Sequence, residues 1–285
     1  MKNAIEIKNL KKNYSNFKLD IKDLKIKEGA IVGLIGENGA GKTTLIKSIL
    51  NIIKNDNGTI KIFDYDYKKE EQVIKEDIGV VLDDMFFPEI LSPKDINLIM
   101  KDVFKKWDSE VFFDYLKKLG ISSNKKIKEL SKGMRKKLEI VVSLSHNPKL
   151  LILDEPTSGL DPVVRNEVLD IFLEFIKDEN HTILLSTHIT SDLEHIADQI
   201  VFINNGSIVI DNLKDELIDN YGILKCDLSY FDKIEKVDII KYKKNKYEAQ
   251  ILIADRKKIG RKYKDCVIDK ITLEDLMVLM IKGEK

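Results

Sequence analysis

An α/β fold is what this sequence predicts: a parallel sheet with flanking helices, antiparallel strands ahead of it, a helical insert within it and a small C-terminal α+β domain after it. Three observations predict it. Four short runs, IVGLI at 31–35, IGVVL at 78–82, LLILD at 150–154 and TILLS at 182–186, are continuously apolar or nearly so, the pattern of strands covered on both faces. Stretches with apolar residues at helical spacing lie between them. After about residue 212 both patterns weaken, so a first domain over 1–212 and a second over 213–285 are expected.

The elements follow in order. Residues 3–10 and 17–26 alternate apolar and polar, as strands of a half-exposed sheet do. KEGA at 27–30 is a turn, and the buried strand 31–35 follows. KTTLIKSILNII at 42–53 has helical spacing; NDNG at 55–58 is a turn signal before the strand TIKIF. From 92 to 119 the period is helical, with Ser92 as N-cap and Pro93 at the first helical position, and the insert is expected over about 84–147. A helix is expected at about 162–178, and VFINNGSIVID at 201–211 reads as a hairpin turning on Asn205-Gly206. In the tail, 237–254 reads as a second hairpin and 272–282 as a short amphipathic helix capped by Thr272.

Composition removes several function classes. The chain has 285 residues, enough for one large domain plus an accessory one. Lys+Arg 48 cancels Asp+Glu 48, so net charge makes no case for nucleic acid or an anionic membrane surface. Cys226 and Cys266 fit neither a metal-binding nor a redox-motif spacing, which suits a reducing compartment. The start of the chain lacks the apolar core of a signal peptide, and no segment approaches the roughly 18 apolar residues of a membrane span. A cytoplasmic protein is expected, reaching any membrane through a partner.

Two motifs carry chemistry. GENGAGKT at 36–43 fits G-x-x-x-x-G-K-T between a buried strand and a helix. Gly36, Gly39 and Gly41 let successive N–H groups curl around one anion, with Glu37, Asn38, Ala40 and Thr44 completing the loop, and the helix N-terminus adds its positive end. Lys42 would reach the β- and γ-phosphates of a nucleotide, and the Thr43 hydroxyl would ligate Mg²⁺. LLILDEP at 150–156 ends a buried strand on two acids. Asp154 suits a Mg²⁺-holding carboxylate. Glu155, one residue on, would point to the opposite side of an extended chain and act as general base toward an attacking water.

LSKGMRKK at 130–137, SGLD at 158–161 and STH at 186–188 complete an ordered set with those two motifs. In that order the five resemble the motifs of ATP-binding cassette (ABC) ATPases, over about residues 1–212. The resemblance implies an ABC ATPase core, a P-loop parallel sheet with an antiparallel N-terminal β-subdomain and a helical subdomain. It also implies residue roles. Tyr14 would stack on adenine, although a core tyrosine beside Phe17 fits equally. Ser131 and Gly133 would contact the γ-phosphate of an ATP held by a second subunit. Ser158, Gly159 and Asp161 would cross the dimer interface. His188 would hold the γ-phosphate and position the water, whereas His146, His181 and His195 read as structural.

Two departures from the family pattern stand out. The signature reads LSKGM where LSGGQ is commonest, which adds a cation at Lys132 and loses an amide at position 134. VVLDDMFF at 80–87 places Asp83 where the family usually has Gln. Asp83 would accept hydrogen bonds from the water and ligate Mg²⁺, but cannot donate as an amide does; Asp84 is expected at the surface or against the insert. The resemblance further implies an ATP-hydrolysing subunit that powers a membrane transporter of the export type through ATP-driven dimerisation, with a homodimeric or paralogous partner ATPase. The membrane-spanning subunit would be a separate chain, docked in a groove between insert and core. Phe86, Phe87 and Trp107 are candidates for that groove or for the core of the insert. A soluble ABC ATPase with a non-membrane partner is the alternative reading.

Overall fold

The computed structural model describes residues 2–82 and 87–284. Three sheets organise them. The first is antiparallel, with Lys18–Lys27, Asn3–Asn13, Asn57–Ile62 and Tyr65–Asp66 in spatial order. The second has six strands in the order Ser207–Leu213, Gln199–Asn204, Ile31–Ile35, Thr182–Ser186, Leu150–Asp154, Ile78–Val81. It is parallel except at one edge, where Ser207–Leu213 returns antiparallel through the turn at Asn205-Gly206. The third is antiparallel, with Lys241–Lys244, Glu248–Ile253, Gly222–Asp227 and Val267–Lys270.

The continuous apolar runs are explained by which face each residue covers. Along Leu150–Asp154, Leu151 and Leu153 enter one core while Leu150 and Ile152 enter another. The same split divides Ile183 and Leu185 from Leu184, and Ile200 and Phe202 from Val201 and Ile203. One core packs the parallel sheet on the helices Pro162–Phe175 and Thr190–Ile196; the other packs it on the helix Lys42–Ile49 and the N-terminal sheet. With both faces covered, no position on these strands needs to be polar.

The helical insert runs through Pro93–Val103, Ser109–Lys118 and Lys132–Leu144 around its own core of Ile96, Phe112, Leu116, Leu138 and Val141. Ser92 caps the first of these helices in a reciprocal capping box with Asp95, with Pro93 at its start. Phe87 and Trp107 pack into this core, and the Trp107 indole N–H donates to Asn97 Oδ1 at 2.9 Å. Those two aromatics are half-buried against the insert's own core. Phe86 and Asp84 lie outside the described residues.

In the C-terminal segment, one face of the third sheet closes on Leu224, Ile251, Ile259 and Tyr263. Ile223 and Leu252 join the main core from the other face, with Leu273, Leu276 and Leu279 of the helix Leu273–Lys282. Cys226 is buried in this segment, and burial pushes its thiol up to about 11. The expected hairpin is Lys241–Lys244 with Glu248–Ile253, and Thr272 caps the last helix by accepting from Asp275 N. The helix expected to 178 ends at Phe175, and the first helix stops at Ile49.

Candidate functional site

Strand order brings the motifs together. Ile31–Ile35, Thr182–Ser186 and Leu150–Asp154 are neighbours and run parallel, so their C-terminal ends open on one edge of the sheet. That edge is where open α/β sheets bind ligands. The loop 36–43 leaves the first strand, His188 follows the second, and Asp154 with Glu155 ends the third.

The phosphate loop is shaped by close approach. A Cβ on Gly36 would collide with the carbonyl oxygen of Ile203, so the hairpin strand forbids any side chain there. Gly206 N donates to Ala40 O at 2.9 Å and fixes the hairpin turn against the loop. Lys42 is 6% exposed and donates to Gly36 O at 2.8 Å and Glu37 O at 3.4 Å, folding its ammonium back into the loop. Glu37, Asn38 and Gly39 are exposed, as is Thr43 at the helix start, beside half-buried Thr44.

Opposite the loop, Asp154 is 1% exposed and accepts a hydrogen bond from Ser186 Oγ. Glu155 departs from the expected geometry. The strand ends at Asp154, and Glu155 takes a left-handed backbone with φ 50°, so strand alternation is not what directs its side chain. Its N–H donates to Ser186 O at 3.0 Å, which anchors the turn. The carboxylate then lies between two groups: Oε1 is 3.7 Å from Lys42 Nζ, and Oε2 is 2.7 Å from His188 Nδ1. A carboxylate accepts only, so the imidazole carries a proton on Nδ1.

The signature and SGLD residues form a second cluster. Ser131 caps the helix Lys132–Leu144, its Oγ accepting from Met134 N at 3.2 Å. Asp161 caps Pro162–Phe175 by accepting from Val163 N and Val164 N, both at 3.1 Å. A Cβ on Gly133 would stand 3.2 Å from Val164 Cγ1, and the Lys132 ammonium fills the space a side chain on Gly159 would need. Lys137 pairs with Glu167 across the two helices. Among the described residues none of these groups bonds to the phosphate loop of the same chain. Ser158 belongs to the Glu155 turn, its N–H donating to Glu155 O at 3.2 Å.

Tyr14 is 48% exposed. Its ring lies 6.3 Å from that of Phe17, whose Cζ is 2.8 Å from where a Gly41 Cβ would stand. The tyrosine therefore stands at the rim of the loop, outside the core. The remaining histidines are held elsewhere or exposed: His146 Nε2 bonds Ile78 O at 3.0 Å, His181 Nδ1 bonds Phe175 O at 2.8 Å, and His195 is at the surface. Asp83 lies outside the described residues. Ser186 stands in the STH motif, but sequence reasoning gave it no role of its own. Sequence reasoning also missed the buried Asp192, which reads as an ordinary acid in the first turn of a helix.

The fold and this constellation define a nucleotide-binding class, and comparison with known proteins narrows it. The pattern of the ABC transporter family matches residues 19–158. The uncharacterized ABC transporter ATP-binding protein MJ1023 of Methanocaldococcus jannaschii is 36% identical over 260 residues, covering 85% of this chain and 95% of that protein. The bacitracin transport ATP-binding protein BcrA of Bacillus licheniformis is 34% identical over 212 residues, covering 73% of this chain and 69% of that one. A solved ATP binding subunit of an ABC transporter matches with a TM-score of 0.67 at 27% identity, over 76% of this chain and 92% of the other. The chain belongs to the ABC transporter ATP-binding proteins. It is an ATPase, the ATP-binding subunit of a transporter.

Proposed function

We propose that the chain binds Mg-ATP on the loop 36–43 and hydrolyses it as half of an ATP-sandwiched dimer, driving a separate membrane-spanning subunit in the direction of export. The observation that carries this reading is the convergence of Lys42, Glu155 and His188, with contacts of 3.7 and 2.7 Å from three different segments.

Each residue then has a task. The loop N–H groups and Lys42 hold the phosphates, Lys42 exchanging its contacts with Gly36 O and Glu37 O for phosphate oxygens. Glu155 takes the proton of the attacking water, and His188, oriented by Glu155, contacts the γ-phosphate through Nε2. Tyr14 at the rim offers a face to the adenine ring. Among the described residues no three or more His, Cys, Asp or Glu side chains gather as a metal cage. Mg²⁺ in nucleotide sites uses one or two side chains plus phosphate oxygens and water, and exposed Thr43 with buried Asp154 fit that mode. Mg²⁺ would neutralise charge on the β- and γ-phosphates.

Dimerisation is supported by the second cluster. Ser131, Gly133 and Asp161 are organised together yet, among the described residues, make no bond to their own loop, which suits contact with a nucleotide held by another copy. The separation of ATP-bound from ADP-bound states rests on the γ-phosphate bridging the two subunits.

A partner surface is also present. Among the described residues, a groove of ≈ 780 Å³ runs between core and insert, lined by Ile52, Tyr67, Val73, Val80, Val103 and Phe104. Its apolar lining suits an amphipathic helix of a membrane subunit. No helix among the described residues is long and apolar enough to cross a membrane, which supports a peripheral position through such a partner. Export is the direction implied by the motif resemblance to export-type ABC ATPases.

The test is steady-state phosphate release. Glu155→Gln should lower turnover by about 10²–10⁴-fold while ATP binding persists. Turnover within about twofold of the parent protein overturns the assignment. Membrane recovery of the co-expressed complex should be lost with Val103→Glu in the groove, and retention would move the partner's docking face elsewhere.

A further inference from the structure

We infer that Asp192 is a positioning residue for ATP hydrolysis, a buried tie that sets Glu155, His188 and the SGLD loop relative to one another. This rests on the roles proposed for Glu155 and His188.

Asp192 is 1% exposed, and a carboxylate so buried is costly unless both oxygens are paired. They are. Oδ2 accepts from Thr157 Oγ1 at 2.6 Å, and Oδ1 accepts from Arg165 Nε. Arg165 also donates from Nη2 to Ser191 Oγ at 2.6 Å. Thr157 is itself 1% exposed, so water cannot replace its partner without opening the interior.

The three segments joined here carry the three groups the reaction needs. Thr157 lies two residues after Glu155, inside the turn whose left-handed start directs the Glu155 side chain. Asp192 lies four residues after His188, in the helix Thr190–Ile196. Arg165 lies four residues after Asp161, in the helix that Asp161 caps.

A local capping role does not account for the arrangement. The helix has Ile189 at its N-cap with no side-chain cap, and the Asp192 carboxylate bonds to two other segments rather than to its own first turn. The bond from His188 to Glu155 spans the same two segments as the bond from Asp192 to Thr157. The pair of exposed His188 and half-buried Glu155 is thus braced by a buried pair. A misplacement of about 1 Å can cost about 10²-fold in rate, and nucleotide affinity, set by the phosphate loop, need not change with it.

The experiment is ATPase kinetics on the full chain for Asp192→Asn, Thr157→Val, the double variant and Thr157→Ser, with Glu155→Gln as reference. Asp192→Asn and Thr157→Val should each lower kcat at least about tenfold with KM for ATP within about twofold. The double variant should be no slower than the slower single, because Thr157→Val removes a contact that Asp192→Asn already disturbs. Thr157→Ser, which keeps the hydroxyl, should recover most of the loss. A folded Thr157→Val with parental kcat, singles whose losses multiply, or a Thr157→Ser as slow as Thr157→Val overturns the inference. If Asp192→Asn does not fold, the two Thr157 variants decide. Full turnover in Glu155→Gln would overturn the underlying reading of the site. An inactive Glu155→Gln beside an unaffected Thr157→Val overturns the Asp192 inference alone.

Discussion

His188 Nδ1 lies 2.7 Å from Glu155 Oε2, while the other oxygen of that carboxylate lies 3.7 Å from Lys42 Nζ. One carboxylate therefore links the imidazole to the lysine of the phosphate loop. Removing the imidazole should leave phosphate binding to the loop and weaken only the reaction. His188→Ala is expected to lower kcat by about 10²-fold or more, with ATP affinity within a few-fold. Phosphate release at saturating ATP, with separate equilibrium binding of a nonhydrolysable analogue, checks both halves. An equal loss in both would make His188 a binding residue instead.

The carbonyl of Ile203 stands where a side chain at position 36 would go. Gly36→Ala must therefore push the hairpin strand away or distort the loop. Overpacking of this kind costs about 1–3 kcal/mol. A lower denaturation midpoint together with lost nucleotide binding is expected, read by chemical unfolding and analogue titration. Full affinity in the alanine variant would contradict the tight cradle.

Asp77, at the foot of the edge strand, accepts from Lys106 Nζ at 2.5 Å and Lys149 Nζ at 3.1 Å. Burial pushes its carboxyl up, but the two lysine hydrogen bonds outweigh that and hold it below the usual carboxylate range. A depressed pKa gives stability that is present above the unfolded-state value of about 3.9 and lost as pH falls through the folded one. Asp77→Asn should cost about 1–3 kcal/mol near pH 7, and the gap to the parent should close as pH drops below about 4. Urea unfolding at pH 7 and pH 3 measures it. A gap that stays constant would assign the loss to packing instead.

Burial pushes the Cys226 thiol up to about 11. At pH 8 its thiolate fraction is then on the order of 10²-fold below that of a free cysteine. Iodoacetamide should modify Cys226 that much more slowly in the native protein than in urea, as followed by mass spectrometry of the two cysteine peptides. Equal rates would place the thiol in contact with solvent.

Much of this site was readable because each functional segment begins where an apolar run ends. Lys42 and His188 follow buried strands and Asp154 ends one, and a strand covered on both faces leaves a plain pattern. The direction of Glu155 was not readable. It depends on a left-handed turn residue and on the bond from Glu155 N to Ser186 O, neither of which has a spacing signature. Asp192 was hidden for a related reason. Its two partners, Thr157 and Arg165, are far away in sequence, and an acid in a first helical turn already has an ordinary explanation. The helical segment Tyr67–Glu76, kinked at Glu70, has no clear pattern because charged residues dominate it and its apolar anchors are few. In the tail, Gly222–Asp227 and Val267–Lys270 are short strands, the second only half covered, and their pairing joins distant segments.

In the proposed dimer, the cluster of Ser131, Gly133 and Asp161 completes the nucleotide site of another subunit. Light scattering on purified Glu155→Gln protein, with Mg-ATP and without nucleotide, tests it most directly. The expected result is a monomer that becomes a dimer only with Mg-ATP and reverts with Mg-ADP. A species that stays monomeric while a parallel titration shows ATP bound would contradict a self-sufficient sandwich built from two copies of this chain.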